Sequence, residues 1–136
     1  MDKLSPNQRS WNMGRIASRN TRPERLVRSV LHKLGLRFRL HVSRLPGTPD
    51  IVLAKWRTVV LVHGCFWHRH VNCKLSYTPK SRRAFWNRKF QRNIERDLTN
   101  CQELRILGWR VIVVWECETR KPFRLESRFR RLFLRA

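Results

Sequence analysis

The sequence predicts a single α/β domain with a central mixed sheet flanked by helices. Two short apolar runs, IVLA at 51–54 and TVVLVHG at 58–64, have the length and β-branched composition of buried strands. A third run, WRVIVVWEC at 109–117, follows a long helical pattern, and a helix between two strands is the usual crossover that makes them parallel. The chain has 136 residues, 41% of them hydrophobic, and no linker or repeat, so we expect one core.

The first half of the chain is expected to form one helix and three strands. Apolar periodicity predicts a helix over 21–35, where Thr21 and Glu24 have the spacing of a capping box and Gly35 is a stop signal. Alternation of apolar and polar residues over 36–42 predicts a strand. The segment LPGTPD has the Pro and Gly of a turn, and the runs at 51–54 and 58–64 then read as consecutive strands.

The second half begins with residues 64–80, which have no periodicity and contain several residues capable of chemistry. From 81 to 108 the pattern is helical, with one apolar side expected to consist of Phe85, Trp86, Phe90, Ile94, Leu98, Cys101, Leu104 and Leu107. After the strand at 109–117, Pro122 opens a last amphipathic helix.

The charge of the chain indicates its partner. Thirty-one Lys and Arg against nine Asp and Glu give a formal charge of +22, which favours a polyanion such as nucleic acid. No apolar run approaches the roughly 18 residues of a membrane span, and MDKLSPNQRSW at the N-terminus lacks the apolar region of a signal peptide. We therefore expect an intracellular protein that does not contact a membrane.

The segment HGCFWHRHVNC at 63–73 has the composition of a metal site. Cys65, His70 and Cys73 form C-x4-H-x2-C, and Cys117 is a candidate fourth ligand. Three thiolates and one imidazole match tetrahedral Zn²⁺ with no open position, which is typical of a structural site. His68 is an alternative to His70, and the competing interpretation is a group of buried thiols. The remaining cysteine, at 101, lies on the helical stripe and is expected to pack in the core.

The few acidic residues are candidates for catalysis. Asp50 lies between a turn and a strand, and His63 ends the next strand, an arrangement that suits a Mg²⁺ site, although Asp is also an ordinary turn residue. Asp97 falls on the inward stripe of its helix and needs a partner, which is either a catalytic group or a simple ion pair. His63 or His68 would be a general base if Asp97 held it. Glu24 is explained by the capping box or by a role near the metal.

Aromatic residues near the predicted metal loop suggest contacts with DNA bases. Phe66 and Trp67 are adjacent, and Trp86 begins the following helix. Consecutive residues cannot both face one core, so we expect at least one of Phe66 and Trp67 to be exposed for stacking or wedging. Met13 is a smaller candidate wedge in the basic N-terminal segment, and burial in the core is the competing interpretation for the tryptophans.

Six motifs together resemble one known family. SWNMGRIASRNTRPE, LPGTPD, VHGCFWHRHVNC, RAFW, NIERD and GWRVIVVWEC occur in an order closely similar to that of the very-short-patch repair (Vsr) DNA mismatch endonucleases. The resemblance runs from about Asn7 to Cys117, and HGCFWH with the following His and Cys is its most specific part. It implies a restriction-endonuclease-like fold of the PD-(D/E)xK type with a structural zinc site.

The resemblance also implies roles for individual residues. Asp50 would bind Mg²⁺ together with the backbone carbonyl of Val62, while the second acid of the motif falls at Leu61 and its Lys at His63. It also implies a His68–Asp97 pair that prepares the attacking water and a supporting catalytic acid at Glu24. The implied zinc ligands are Cys65, His70, Cys73 and Cys117. The implied DNA contacts are an aromatic wedge of Phe66, Trp67 and Trp86 and insertion of Met13 from the opposite groove.

The function that the resemblance implies is Mg²⁺-dependent nicking of one strand of double-stranded DNA, 5′ of the T in T:G mismatches that arise from 5-methylcytosine deamination. It implies a bacterial, cytoplasmic, nucleoid-associated monomer with a MutL-type mismatch-repair protein as a partner. Residues 1–20 would be a basic DNA-contacting segment, 21–117 the catalytic core and 118–136 a C-terminal helix, all in one domain. Two alternatives remain open here: a related nuclease with relaxed mismatch or sequence targeting, and a non-catalytic, zinc-stabilised DNA-binding module.

Overall fold

The architecture is a four-stranded mixed sheet with helices on both faces, as the sequence predicts. The structure is a computed structural model that describes residues 20–134. The helices are α1 (Arg22–Lys33), α2 (Arg83–Ile106) and α3 (Pro122–Phe133), and the strands are β1 (Arg39–Leu40), β2 (Ile51–Leu53), β3 (Thr58–His63) and β4 (Arg110–Trp115). Short 3₁₀ helices follow β2, at Ala54–Trp56, and β4, at Glu116–Arg120.

The sheet has the order β1-β2-β3-β4 and changes direction once. The pairs β1–β2 and β2–β3 are antiparallel, whereas β3 and β4 are parallel and joined through α2. Ile51 pairs with Val60, so Asp50 lies at the edge where β3 ends. His63 pairs with Trp115, so β3 and β4 end together at this same edge. The antiparallel pairing of β2 with β3 and the parallel pairing of β3 with β4 together gather the chain segments at 50, 63–65 and 116–117 at this edge.

The alternation of side chains along the strands produces two apolar layers. One face of the sheet packs against α1 and α3 in a cluster that includes Val27, Leu31, Ile51, Leu53, Val60, Ile112, Val114, Leu125 and Phe129. The other face packs against the C-terminal half of α2 through Val52, Val59 and Leu104. No helix in the part of the chain from 20 to 134 is long and apolar enough to cross a membrane.

Two details of the secondary-structure prediction are wrong. The strand predicted over 36–42 is reduced to Arg39–Leu40, because Leu36 turns into the core and His41 has a left-handed φ of 48° that ends the pairing. The apolar side predicted for α2 is also displaced, since Leu98 and Leu107 are more than half exposed. The buried positions of α2 are Trp86, Phe90, Asn93 and Leu104.

Candidate active site

A cavity of about 1010 Å³ opens at the edge of the sheet where β3 ends. Its walls come from the N-terminus of α1, the turn before β2, the end of β3 with the loop that follows, and the middle of α2. All five residues predicted to be catalytic line this cavity: Glu24, Asp50, His63, His68 and Asp97. The fold thus brings them together from four separate segments.

Asp50 is held at the base of the cavity by the strand beside it. Its Oδ2 accepts a hydrogen bond from the backbone N–H of Val62 at 2.8 Å. Burial raises the pKa of Asp50 from 3.8 to about 6, the Val62 N–H opposing this effect only in part. In an extended strand the N–H and C=O of one residue point to the same side, so the Val62 carbonyl also lies on the side of Asp50. Leu61, at the usual position of a second acid, is buried and offers no side-chain oxygen.

His68 and Asp97 form the shortest side-chain contact in the cavity. Nδ1 of His68 lies 2.6 Å from Oδ2 of Asp97, and an ionised carboxylate there requires Nδ1 to carry the proton. The His63 ring stacks on His68, with ring centres 3.9 Å apart and nearly parallel planes. Burial, together with the charge of His68, lowers the pKa of His63 to about 4, so His63 is neutral at pH 7. Asp97 therefore orients His68 and not His63.

Glu24 is more than a capping residue. Thr21 Oγ1 does accept from the Glu24 N–H at 3.3 Å, which is one arm of the predicted capping box. The Glu24 carboxylate, however, accepts from the backbone N–H of Asn20 at 2.9 Å and from Arg28 at 3.0 Å, and lies 3.3 Å from Nε2 of His41. Glu24 is 3% exposed, and it forms with His41 and Asp50 a cluster of groups able to bind a cation.

A second cluster of possible metal ligands lies beside the cavity, where β3 and β4 end together. The backbone N–H of Cys65 donates to Glu116 Oε1 at 3.3 Å, and that of Cys117 donates to Cys65 Sγ at 3.4 Å. Parallel pairing therefore brings Cys117 to Cys65, although the two are far apart in sequence.

His70 and Cys73 complete this cluster from the irregular loop. One ligand atom from each of Cys65, His70, Cys73 and Cys117 lies within 4.8 Å of the others. Nδ1 of His70 is 3.7 Å from Cys65 Sγ and 3.5 Å from Cys117 Sγ. Of the two histidines that the sequence left open, His70 joins the cysteines and His68 joins Asp97. Cys101 belongs to neither cluster and is half-buried.

The aromatic residues form one connected group above the cavity. Phe66 and Trp67 are both half-buried and both line it, with ring centres 5.1 Å apart. Trp86 is buried one layer behind, 5.7 Å from Phe66 and 6.0 Å from Trp67. The expectation that at least one of Phe66 and Trp67 is exposed is wrong, because both lie in a turn that faces the cavity and both are half-buried there. Met13 lies outside the residues that the structure describes.

A basic groove continues the cavity along α2. It has a volume of about 400 Å³ and shares Lys89, Asn93 and Arg96 with the cavity. Its other lining residues are Phe85, Arg88 and Arg92. Cationic side chains spaced along one side of a helix suit a nucleic-acid backbone.

Several residues of the site were missed at the level of sequence. His41 reaches Glu24 across 17 positions, and no local pattern signals this contact. Asn93 is buried and donates to the Trp67 carbonyl at 3.1 Å, whereas the sequence assigned Ile94 to the inward side. Arg69 donates to the Tyr77 carbonyl at 2.8 Å and stacks on Phe90, which ties down the irregular loop. The spacing of Trp86, Phe90 and Asn93, which places them on one side of a helix, was the sequence signal that could have assigned Asn93 to the inward side.

Comparison with known proteins identifies the family. The family model described as DNA mismatch endonuclease Vsr matches residues 1–75. The chain is 50% identical to the type II nicking enzyme V.XorIIP of Xanthomonas oryzae pv. oryzae, over 96% of both chains. It is 45% identical to the type II nicking enzyme V.NmeAIP of Neisseria meningitidis, over 96% of this chain and 93% of the relative. It is 46% identical to the DNA mismatch endonuclease Vsr of Escherichia coli, over 82% of this chain and 71% of the relative. The chain therefore belongs to the Vsr family of DNA mismatch endonucleases and is a DNA endonuclease.

Proposed function

We propose that this endonuclease nicks one strand of double-stranded DNA on the 5′ side of the T in a T:G mismatch and requires Mg²⁺. The observation that carries the proposal is the cavity in which Asp50 and the His68–Asp97 pair lie together. The mixed sheet with its antiparallel and parallel pairs is consistent with a restriction-endonuclease-like fold in one domain. In this proposal residues 21–117 are the catalytic core, and the basic segment 1–20 contacts DNA.

The residues around Asp50 fit a hard divalent cation. Asp50, Glu24 and the Val62 carbonyl offer oxygen ligands of the kind that Mg²⁺ prefers. The raised pKa of Asp50 also supports a cation at this site, because a buried carboxylate without a cation is costly to ionise. A bound Mg²⁺ would supply Lewis acidity to the scissile phosphate.

The His68–Asp97 pair supports general-base catalysis. With Nδ1–H donated to Asp97, Nε2 of His68 is the free acceptor for the proton of an attacking water. Asp97 holds the imidazole in this tautomer and stabilises the imidazolium that forms. His63, neutral at pH 7, replaces the usual Lys and can offer the phosphate a hydrogen bond but no charge.

The cysteine cluster fits a structural Zn²⁺. Zinc–sulfur and zinc–nitrogen bonds of about 2.3 and 2.0 Å in a tetrahedron place a sulfur and a nitrogen about 3.5 Å apart. The two separations of His70 Nδ1 from cysteine sulfurs are 3.7 and 3.5 Å. Four protein ligands leave no open position, so the ion would stabilise the loop and take no part in hydrolysis.

The DNA partner is supported by charge and by the aromatic group. The groove lined by Arg88, Lys89, Arg92 and Arg96 would neutralise backbone phosphates without reading sequence. Phe66 and Trp67 at the cavity would stack on the bases beside the mismatch, supported from behind by Trp86. A monomer suffices for this contact, and a MutL-type protein is the partner we expect in repair.

A second candidate function is nicking with different targeting. The two relatives that cover 96% of this chain are both named type II nicking enzymes, which favours a nicking enzyme and leaves its sequence context open. Both functions use the same site and differ only in which duplex is selected.

The proposal is tested by a nicking assay on duplexes that contain each mismatch in several sequence contexts, with and without Mg²⁺. We expect one product, cut 5′ of the T in T:G duplexes, only when Mg²⁺ is present. Asp50→Asn should abolish the product, and Glu126→Gln on α3, which lies outside the cavity, should leave it unchanged. Equal cutting of all mismatches would favour the second candidate, and full activity of Asp50→Asn would overturn the cation site.

A further inference from the structure

His41 is placed against the proposed cation site by the edge of the sheet. Its backbone N–H donates to the carbonyl of Asp50 at 3.1 Å, directly after β1 pairs with β2. Its φ of 48° turns the chain so that the ring enters the site, where Nε2 lies 3.3 Å from Glu24 Oε2. The His41 side chain is 13% exposed and that of Glu24 is 4% exposed, so this contact is shielded from water.

In the described part of the chain, the hydrogen bonds to the Glu24 carboxylate all converge on one of its two oxygens, Oε2. Oε2 receives the backbone N–H of Asn20 and the guanidinium of Arg28, and Nε2 of His41 is its third partner. Within residues 20–134 the other oxygen, Oε1, has no hydrogen-bond partner, and Glu24 lines the cavity. Two donors on Oε2, with Nε2 of His41 beside the same oxygen, fix the carboxylate plane and leave Oε1 as the atom available to a ligand.

The strand itself does not supply a second carboxylate. Leu61 has none, and the ligand atoms of Glu24, His41 and Asp50 lie within 4.8 Å of one another. Glu24 therefore supplies the second carboxylate of this cluster. The orientation of that carboxylate depends on partners from outside α1 as well as from within it. Arg28 lies one helical turn away on α1, whereas His41 approaches from the sheet.

We propose that His41 is a positioning residue that sets the affinity of the divalent-cation site by aiming Glu24 Oε1 beside Asp50. This inference rests on the proposed function, because it assumes a cation at Asp50. In this role the Nε2–H of His41 donates a hydrogen bond to Glu24 Oε2. His41 touches neither the substrate nor the reacting atoms.

The test compares two substitutions of His41 whose side-chain amides differ in length. His41→Gln keeps an N–H donor at nearly the distance of Nε2, whereas the amide of His41→Asn stops short of Glu24. Asn also tolerates the left-handed backbone at this position, so folding should be preserved. His32→Ala is the matched control, since His32 is exposed on α1 and outside the cluster.

The main readout is Mn²⁺ binding to the DNA-free protein, measured from the free Mn²⁺ electron paramagnetic resonance signal. We expect His41→Asn to weaken Mn²⁺ binding by about tenfold, as loss of an outer-shell partner typically does, and His41→Gln to restore most of it. Half-maximal nicking of a T:G duplex should then require correspondingly more Mg²⁺ in His41→Asn, with a smaller change at saturating Mg²⁺. Melting temperatures should match across the three variants.

Two outcomes would overturn the role of His41. One is wild-type Mn²⁺ binding by His41→Asn, and the other is equal weakening in the Asn and Gln variants. Failure of the proposed function is distinguishable, because Asp50→Asn would then bind Mn²⁺ as the wild type does. If Asp50→Asn loses Mn²⁺ and His41→Asn does not, only the inference about His41 is wrong.

Discussion

Nδ1 of His68 lies 2.6 Å from Oδ2 of Asp97, although the two residues are 29 positions apart in the chain. His68 lies in the turn after β3, and Asp97 lies in the middle of α2. The contact therefore depends on α2 packing across the sheet next to the end of β3. Of the eight acidic residues between 20 and 134, Asp97 is the one that meets a histidine in the cavity at so short a distance.

Asp97→Asn should lower the single-turnover nicking rate by about a hundredfold or more, because Asn does not hold His68 in the required tautomer or stabilise its charged form. Binding of the T:G duplex should change by less than about threefold, since the cationic groove is intact. Rates are measured by gel electrophoresis of end-labelled duplex at saturating enzyme. Glu95→Gln, an exposed neighbour on α2, is the control, and an unchanged rate in Asp97→Asn would exclude His68 as the base.

Asp50→Asn should stabilise the protein in buffer without Mg²⁺ at neutral pH. The pKa of Asp50 is raised from 3.8 in the unfolded chain to about 6 in the folded protein, so the wild type loses stability as pH rises from about 4 to 6. The loss is fully present above pH 6 and amounts to at most about 3 kcal/mol. Asn mimics the protonated acid and escapes this loss.

The measurement is urea unfolding of both proteins at pH 4, 5, 6 and 7.5. We expect the stability difference to grow from near zero at pH 4 to its full value at pH 7.5. Addition of Mg²⁺ should stabilise only the wild type. A difference that does not depend on pH would contradict the raised pKa.

Cys117→Ser should release the metal of the cysteine cluster and destabilise the fold. The purified wild type is expected to contain about one equivalent of zinc by atomic emission, and the variant much less. Because the metal ties the loop to the ends of β3 and β4, its loss should lower the melting temperature by about 10 °C. Cys101→Ser is the matched control, since Cys101 lies outside the cluster and should keep the zinc. A wild type with less than about half an equivalent would exclude a zinc site.

Phe66→Ala with Trp67→Ala should reduce mismatch discrimination more than overall DNA binding. Aromatic stacking on a base contributes about 1–3 kcal/mol, so the ratio of affinities for T:G and matched duplexes should fall by about tenfold. Fluorescence anisotropy with both duplexes measures the ratio directly. Phe123→Ala, at an exposed position on α3, is the control. Equal losses for both duplexes would indicate that Phe66 and Trp67 serve packing and not recognition.

The sequence predicted most of the helices and strands because their signals are local. The periodicity of Val27, Val30 and Leu31 fits the buried face of α1, and the runs at 51–53 and 58–63 form β2 and β3. Prediction failed over 36–42, where only two residues pair at the edge of the sheet. It failed again in α2, where Asn93 turns inward to bond the Trp67 carbonyl and displaces the apolar stripe from Leu98.

The sequence by itself determined the family, the cysteine and histidine spacing of the metal loop, and the order of helices and strands. These depend on residue types at short separations, which periodicity and motifs record. The residue pattern left open whether His63 or His68 meets Asp97, and the tertiary structure decided for His68. Only the tertiary structure showed that the N–H of Val62 holds Asp50 and that His41 reaches Glu24. Each of these contacts joins residues 12 to 29 positions apart and exists only because α1, the strands β1 to β3 and α2 converge on one edge of the sheet. Parallel pairing of β3 and β4 does the same for Cys65 and Cys117, which are 52 positions apart.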